Sequence, residues 1–265
     1  MLKDITLGQY FPGNSIAHKL DPRTKILLVT LYIIALFSAK GWMGYAVMAV
    51  TLAACVKVSH VGLRALVRGL KPLVFIIAFT GILNMFFTPD THYLWEWGIL
   101  RVSVKGIENA LFMVIRIMLL VMGTFLMTYT TSPIRLTDGL ESLLNPLKKI
   151  HVPVHELAMM MAIALRFIPT LIEETDKIMS AQKARGADFD SGNIFQKAKA
   201  LVPILVPLFI SAFRRAATAM ECRCYHGGEG RTKLHVLKYQ RRDYVALAGG
   251  VVILALVVVL RRLGT

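Results

Sequence analysis

Apolar residues in this chain come in runs too long and too uniform for surface helices, and the polar residues collect between them. From Ile26 to Val56 the only charged residue in 31 positions is Lys40. One helix over that stretch would be about 46 Å long, well beyond a hydrocarbon core of about 30 Å. Two shorter helices, Ile26–Ala39 and Trp42–Val56, joined at Lys40 and Gly41, fit the length equally well, and the flanking charge decides for them. Lys3, Lys19, Arg23 and Lys25 precede the pair; Lys57, Arg64, Arg68 and Lys71 follow it. Basic flanks belong on the same, cytoplasmic side, so the number of crossings between them is even. Pro72–Thr88 is a third apolar run, Ile107–Tyr129 a fourth and Val245–Leu260 a fifth, closed by Arg261 and Arg262. The loop 89–105 carries Trp95 and Trp97, side chains suited to a membrane interface. Five crossings predict a cytoplasmic N-terminus and, against the weak signal of the closing arginine pair, a C-terminus outside.

The region between the fourth and fifth spans has a different pattern. Its two apolar stretches, 152–172 and 200–213, are short or interrupted, the first by His155, Glu156 and Arg166, the second by Pro203 and Pro207. Neither is expected to make a clean span. Helices that are apolar over one half and charged over the other suit a position along a membrane-embedded partner, with polar ends in the cytoplasm. Three are predicted: Pro133–Lys148, opened by Ser132 as its cap; Pro153–Arg185; and Asn193–Arg223. The expected architecture is an all-α integral membrane protein with about five transmembrane helices and three long helices on the cytoplasmic side. It divides into an N-terminal four-helix membrane region (1–130), a helical region (131–243) and a closing membrane helix (244–265).

Composition narrows the class further. With 55% hydrophobic residues and a mean hydropathy of +0.58, the chain has too little polar surface for a soluble domain. The net charge of +15 would suit a nucleic-acid binder, but such a protein has no use for long apolar runs. Cytoplasmic loops held inside by their charge and by anionic lipid account for it better, which leaves nucleic acid out and makes membrane lipid a partner. Three cysteines, Cys55, Cys222 and Cys224, offer no disulfide framework.

One pattern occurs twice. Pro169 starts a segment that places Arg185 sixteen residues on, and Pro207 starts another that places Arg223 sixteen residues on. Sixteen helical residues span about 24 Å, so each arginine sits at the tip of a long lever. Ala184-Arg185-Gly186 has the glycine of a left-handed helix stop and a cation suited to the negative end of the dipole. A stop of that kind needs no partner. At Cys222-Arg223-Cys224, however, the arginine recurs at the matching offset and the glycine does not. An arginine retained without its glycine points to docking. Paired levers in a membrane protein suggest force passed to a partner, not chemistry on a substrate.

QKARGADF and TAMECRCY, at the ends of two consecutive long helices after four N-terminal spans, resemble the signature of the EcfT family, the transmembrane T component of energy-coupling factor (ECF) transporters. The resemblance covers nearly the whole length. Members typically end both coupling helices in Ala-Arg-Gly; here the first copy matches and the second keeps only Arg223. Cysteine in a left-handed stop costs about 1–2 kcal/mol relative to glycine, so the second helix is expected to run on to Gly227-Gly228. The resemblance implies a multi-pass protein of the bacterial plasma membrane whose two arginines insert into grooves on two ABC-type ATPase subunits. It implies that the apolar halves of the same helices hold a small membrane-embedded S component that binds a vitamin or metal ion. No cofactor is expected on this chain; ATP and Mg²⁺ come through the partner subunits. Met159, Met160, Met161 and Met179 supply soft side chains suited to a surface that repacks, or equally to core filling.

Other chemistry is weakly supported. GGEGRTK at 227–233 lacks phosphate-loop spacing and follows no predicted strand. Cys222, Cys224 and His226 would point apart at a helix end and lack a fourth ligand. Glu173, Glu174 and Asp176 are the one acidic cluster a membrane-embedded lipid phosphotransferase could use, and they crowd a single turn. An ordinary ABC permease would carry one compact ATPase-facing helix pair, not two levers. Arg116, near mid-depth of the fourth span with Glu108 two turns away, is expected to be a buried anchor or an interhelical ion pair.

Overall fold

The computed structural model of the chain describes residues 10–88, 93–97, 100–186, 194–225 and 237–263. Among these residues there are ten α-helices: α1 (Ile16–Lys19), α2 (Pro22–Ser38), α3 (Gly41–Ser59), α4 (Leu63–Leu70), α5 (Val74–Phe87), α6 (Val104–Thr130), α7 (Pro133–Leu144), α8 (Val154–Ala184), α9 (Ile194–Glu221) and α10 (Arg241–Arg262). The chain is all-helical in class, with one addition in the expected interfacial loop, where β1 (Tyr93–Trp97) and β2 (Leu100–Ser103) pair antiparallel. The predicted break at Lys40 and Gly41 is present: α2 stops at Ser38 and α3 starts at Gly41, whose φ of +73° makes the tight turn. Ser132 caps α7 as expected, its Oγ accepting from the Arg135 N–H at 3.4 Å.

Two compact units emerge. One gathers α1 to α6, the start of α7, and α10; the other holds the rest of α7 with α8 and α9. The core of the first lies where α2, α3, α6 and α10 meet, around Leu36, Met48, Leu119 and Val257. In a bilayer such helices gain little from leaving lipid for one another, so close packing and interhelical hydrogen bonds carry the association. Both are present. A Cβ on Gly106 of α6 would come within 2.7 Å of the Met85 carbonyl oxygen on α5, so only glycine allows that approach. Arg116 of α6 donates from Nε (2.9 Å) and from a terminal nitrogen (2.6 Å) to the Tyr45 hydroxyl on α3. Its guanidinium also lies 5.7 Å from the Phe37 ring on α2. The intramembrane arginine is a three-helix anchor, and it bonds to a tyrosine instead of Glu108.

Charged groups also fasten the ends of the membrane helices. Asp243, 1% exposed, accepts the Asp21 N–H on Oδ1 (2.9 Å) and the Gln240 N–H on Oδ2 (2.7 Å), tying the start of α10 to the start of α2. Lys25, one of the flanking cations, is itself buried and donates to the Thr130 carbonyl (2.8 Å) and the Thr131 hydroxyl (2.9 Å) at the end of α6.

Among the described residues, five helices are long and apolar enough to cross a membrane: Gly41–Ser59, Leu63–Phe86 (α4 and α5 taken together), Val104–Thr130, Val154–Ala184 and Arg241–Arg262. The number matches the expectation and the membership differs. α2, the expected first span, has 17 residues, about 25 Å, which falls short of a core of about 30 Å. α8 joins the set in its place. Although His155, Glu156 and Arg166 made residues 152–172 look too interrupted for a span, only Arg166 breaks the stretch from Leu157 to Ile172. A single long basic side chain can extend its charge out of an apolar environment.

Candidate functional site

The two helix ends bearing Arg185 and Arg223 share one geometry. Arg185 follows the last residue of α8 and donates its backbone N–H to the Gln182 carbonyl at 3.0 Å; Arg223 at the end of α9 donates to the Met220 carbonyl at 3.0 Å. The next residue is left-handed in both, Gly186 at φ +86° and Cys224 at φ +51°. Those residues donate backward in the same register, Gly186 to Lys183 at 3.0 Å and Cys224 to Glu221 at 2.9 Å. Tyr225 adds the longer bond of a Schellman stop by donating to Met220 at 3.1 Å.

This geometry corrects one expectation. α9 does not run on past Cys224; it stops at the position equivalent to Gly186. A left-handed cysteine costs about 1–2 kcal/mol. Two backbone bonds that leave few orphaned carbonyls, each contributing about 1 kcal/mol, offset that cost. The matched offset of the arginines in sequence is thus a matched position in structure, with each at the last corner of its helix. Ala184, Arg185, Gly186, Cys222, Arg223 and Cys224 are brought into two equivalent tips. Both arginines are exposed, and neither forms an ion pair with a described residue. Gly227 and Gly228, His226, the run 227–233 and Asp188 and Asp190 lie outside the described residues.

Pro169 and Pro207 lie inside α8 and α9, which begin upstream at Val154 and Ile194. Neither proline opens a helix, so each marks the base of a sixteen-residue segment within a longer rod. A proline removes one backbone donor, and flanking residues of good helical propensity carry the helix through it. Glu174 of α8 accepts from Arg215 of α9 on both carboxylate oxygens at 3.2 Å, which cross-links the two rods part-way along their levers. This commits the acidic residue at the centre of the 173–176 cluster to a helix–helix contact. At the start of the same unit, His155 and Glu141 meet at 3.0 Å and join α7 to α8.

The apolar halves carry a feature that hydrophobic content alone did not locate. On α9, Val206, Phe209, Ile210 and Phe213 are 49%, 41%, 55% and 67% exposed and recur at the spacing of one helical face. On α8, Leu157, Met160, Met161 and Ile168 form a similar exposed stripe. Met160 and Met161 are therefore surface residues and not core filling; Met159 and Met179 are half-buried. A groove of about 760 Å³ runs along α9 from Pro207 past Ser211 and Arg214 to Cys222, connecting the lever base to its tip.

Against known proteins, residues 13–234 match the family described as cobalt transport protein. A protein of Ruminiclostridium cellulolyticum is 51% identical over 263 residues, covering 98% of each chain. One of Clostridium kluyveri is 55% identical over 250 residues, 93% of each. One of Bacillus subtilis is 46% identical over 264 residues, 98% of this chain and all of its own. All three carry the name energy-coupling factor transporter transmembrane protein EcfT. This chain belongs to the EcfT family. It is a multi-pass membrane component of an energy-coupling factor transporter.

Proposed function

We propose that this EcfT chain is the non-catalytic coupling subunit of an ECF-type ABC importer in the bacterial plasma membrane, with its N-terminus in the cytoplasm. Arg185 and Arg223 dock into two ABC-type ATPase subunits, and ATP with Mg²⁺ enters the cycle only through those partners. The observation that carries this reading is the left-handed residue that follows each arginine, with matching backward backbone bonds at the two ends. A planar guanidinium at an exposed helix corner can meet a carboxylate through two parallel hydrogen bonds, which a lysine cannot. Two such corners on rods cross-linked by Glu174 and Arg215 suit a pair of similar partners. When the ATPases close around nucleotide, the tips move together and tilt the apolar halves of α8 and α9.

Those apolar halves hold the S component, a small membrane protein carrying the vitamin or metal ion to be imported. The exposed stripe from Val206 to Phe213 gives it aromatic anchors, the residue type that dominates interface energies. Phe209→Glu combined with Phe213→Glu is expected to reduce co-purification of the S component by about tenfold or more while leaving the ATPase subunits bound. The proteins retained on the affinity-tagged chain, purified from its native membrane, are the readout. Unchanged recovery of the S component would remove the stripe from the interface.

A further inference from the structure

We propose that α4 is a binding site for anionic phospholipid, with Arg64, Arg68 and Lys71 holding headgroup phosphates while Leu63 and Val67 enter the acyl region. The inference uses the membrane placement of the chain and not the ATPase docking, so either can fail without the other.

α4 presents chemically different faces. Ala65 and Gly69 pack on α6: the Ala65 carbonyl accepts from the Tyr129 hydroxyl at 3.4 Å, and a Cβ on Gly69 would lie 2.7 Å from the Phe125 ring. Leu66, wholly buried, fills the core beside them. Leu63 and Val67, four residues apart, are 63% and 55% exposed. Arg64, Arg68 and Lys71 stand on the adjoining arc, within about 60° of one another at helical spacing. All three are exposed, and none forms an ion pair with a described residue.

The position of the helix selects lipid as the occupant. α4 continues through a single 3-10 turn, Lys71–Leu73, into α5, and together they make one of the five span-length apolar helices. The basic row therefore lies where a span reaches the headgroups. No acidic residue occurs anywhere between Asp21 and Asp90, so nothing nearby in the chain neutralises it. An amphipathic helix with a basic arc beside an exposed apolar one, lying at the edge of a span, has the composition of an interfacial segment. Negatively charged headgroups complement the three cations, and acyl chains cover the apolar pair.

The test is a thermal-unfolding titration of the full-length chain in neutral detergent with phosphatidylglycerol, phosphatidylcholine or glycerol phosphate. Phosphatidylglycerol is expected to raise the unfolding midpoint saturably, phosphatidylcholine and glycerol phosphate are not, and added salt is expected to weaken the effect. Each basic residue near an anionic lipid surface contributes about fivefold in affinity. Arg68→Gln should therefore raise the half-saturating lipid concentration about fivefold, and Arg64→Gln, Arg68→Gln and Lys71→Gln together about 100-fold. Arg261→Gln with Arg262→Gln, at the far end of α10, should leave it unchanged. Should the triple variant fail to fold, the fivefold shift of Arg68→Gln decides the matter. Equal stabilisation by phosphatidylcholine, an unshifted titration in the variants, or a full response to glycerol phosphate would overturn the proposal. So would protection of Arg64 and Arg68 from phenylglyoxal in the purified transporter that lipid alone does not give, since that would assign the face to a protein.

Discussion

Reversing both tip charges, Arg185→Glu with Arg223→Glu, should abolish ATP-driven uptake and leave the chain without its ATPase subunits after purification. Removing one member of a desolvated interfacial charge pair costs about 2–5 kcal/mol, and reversal adds repulsion. Each single variant should therefore lower ATPase co-purification by at least about 30-fold, and the pair should leave nothing measurable. Arginine to lysine at either tip keeps the charge and loses the two-pronged geometry, so an intermediate loss is expected. The fold itself should be indifferent. Both side chains are exposed and outside any described ion pair, and substitutions at such positions usually change stability by less than about 0.5 kcal/mol. Loss of coupling with unchanged thermal unfolding is thus the expected signature. Wild-type uptake by the double variant would contradict the docking of these tips.

The largest effect on stability is expected at Asp243. Its carboxylate, 1% exposed, is bonded to the backbone N–H groups of Asp21 and Gln240, which lie at the starts of two different membrane helices. Asp243→Ala leaves the buried Asp21 N–H unsatisfied, at about 1–3 kcal/mol, and removes the capping bond to the exposed Gln240, at about 1 kcal/mol, for a total of about 2–4 kcal/mol. The Asn variant retains one carbonyl oxygen and should lose roughly half of that. Thermal unfolding of the purified chain in detergent measures both. A change below about 0.5 kcal/mol in the alanine variant would mean that other contacts hold α10 against α2.

How much of this could be read in the sequence depended on whether the signal was local. The break between α2 and α3 was legible because a charge rule acts on residues adjacent in sequence, and its position at Lys40 and Gly41 has a backbone cause. The paired arginines were legible because a repeat needs no structure to be seen. The stop at Cys224 was not. Its cost is local and was correctly anticipated, but the offsetting bonds to Met220 and Glu221 form only once the helix has ended there. Pro169 and Pro207 fall inside the helices predicted over 153–185 and 193–223, and flanking helix formers carry α8 and α9 through them. Asp243 was hidden in a different way. The spacing of Gln240 and Asp243 resembles a helix-start capping pattern, whereas its bond to Asp21 joins residues 222 positions apart. The arc on α4 is not legible in the sequence, because Arg64 and Arg68 serve equally well as topology signals wherever they point on the helix.

The most direct measurement places a photo-crosslinking amino acid at position 185 or 223 of the full-length chain, in the transporter assembled in its native membrane. After irradiation, each position should form an adduct with an ATP-hydrolysing subunit, in comparable yield at the two tips. Leu263, 72% exposed at the end of α10, should form none. Adducts only with lipid or with this chain itself, at both positions, would show that the two arginines do not hold the ATPases.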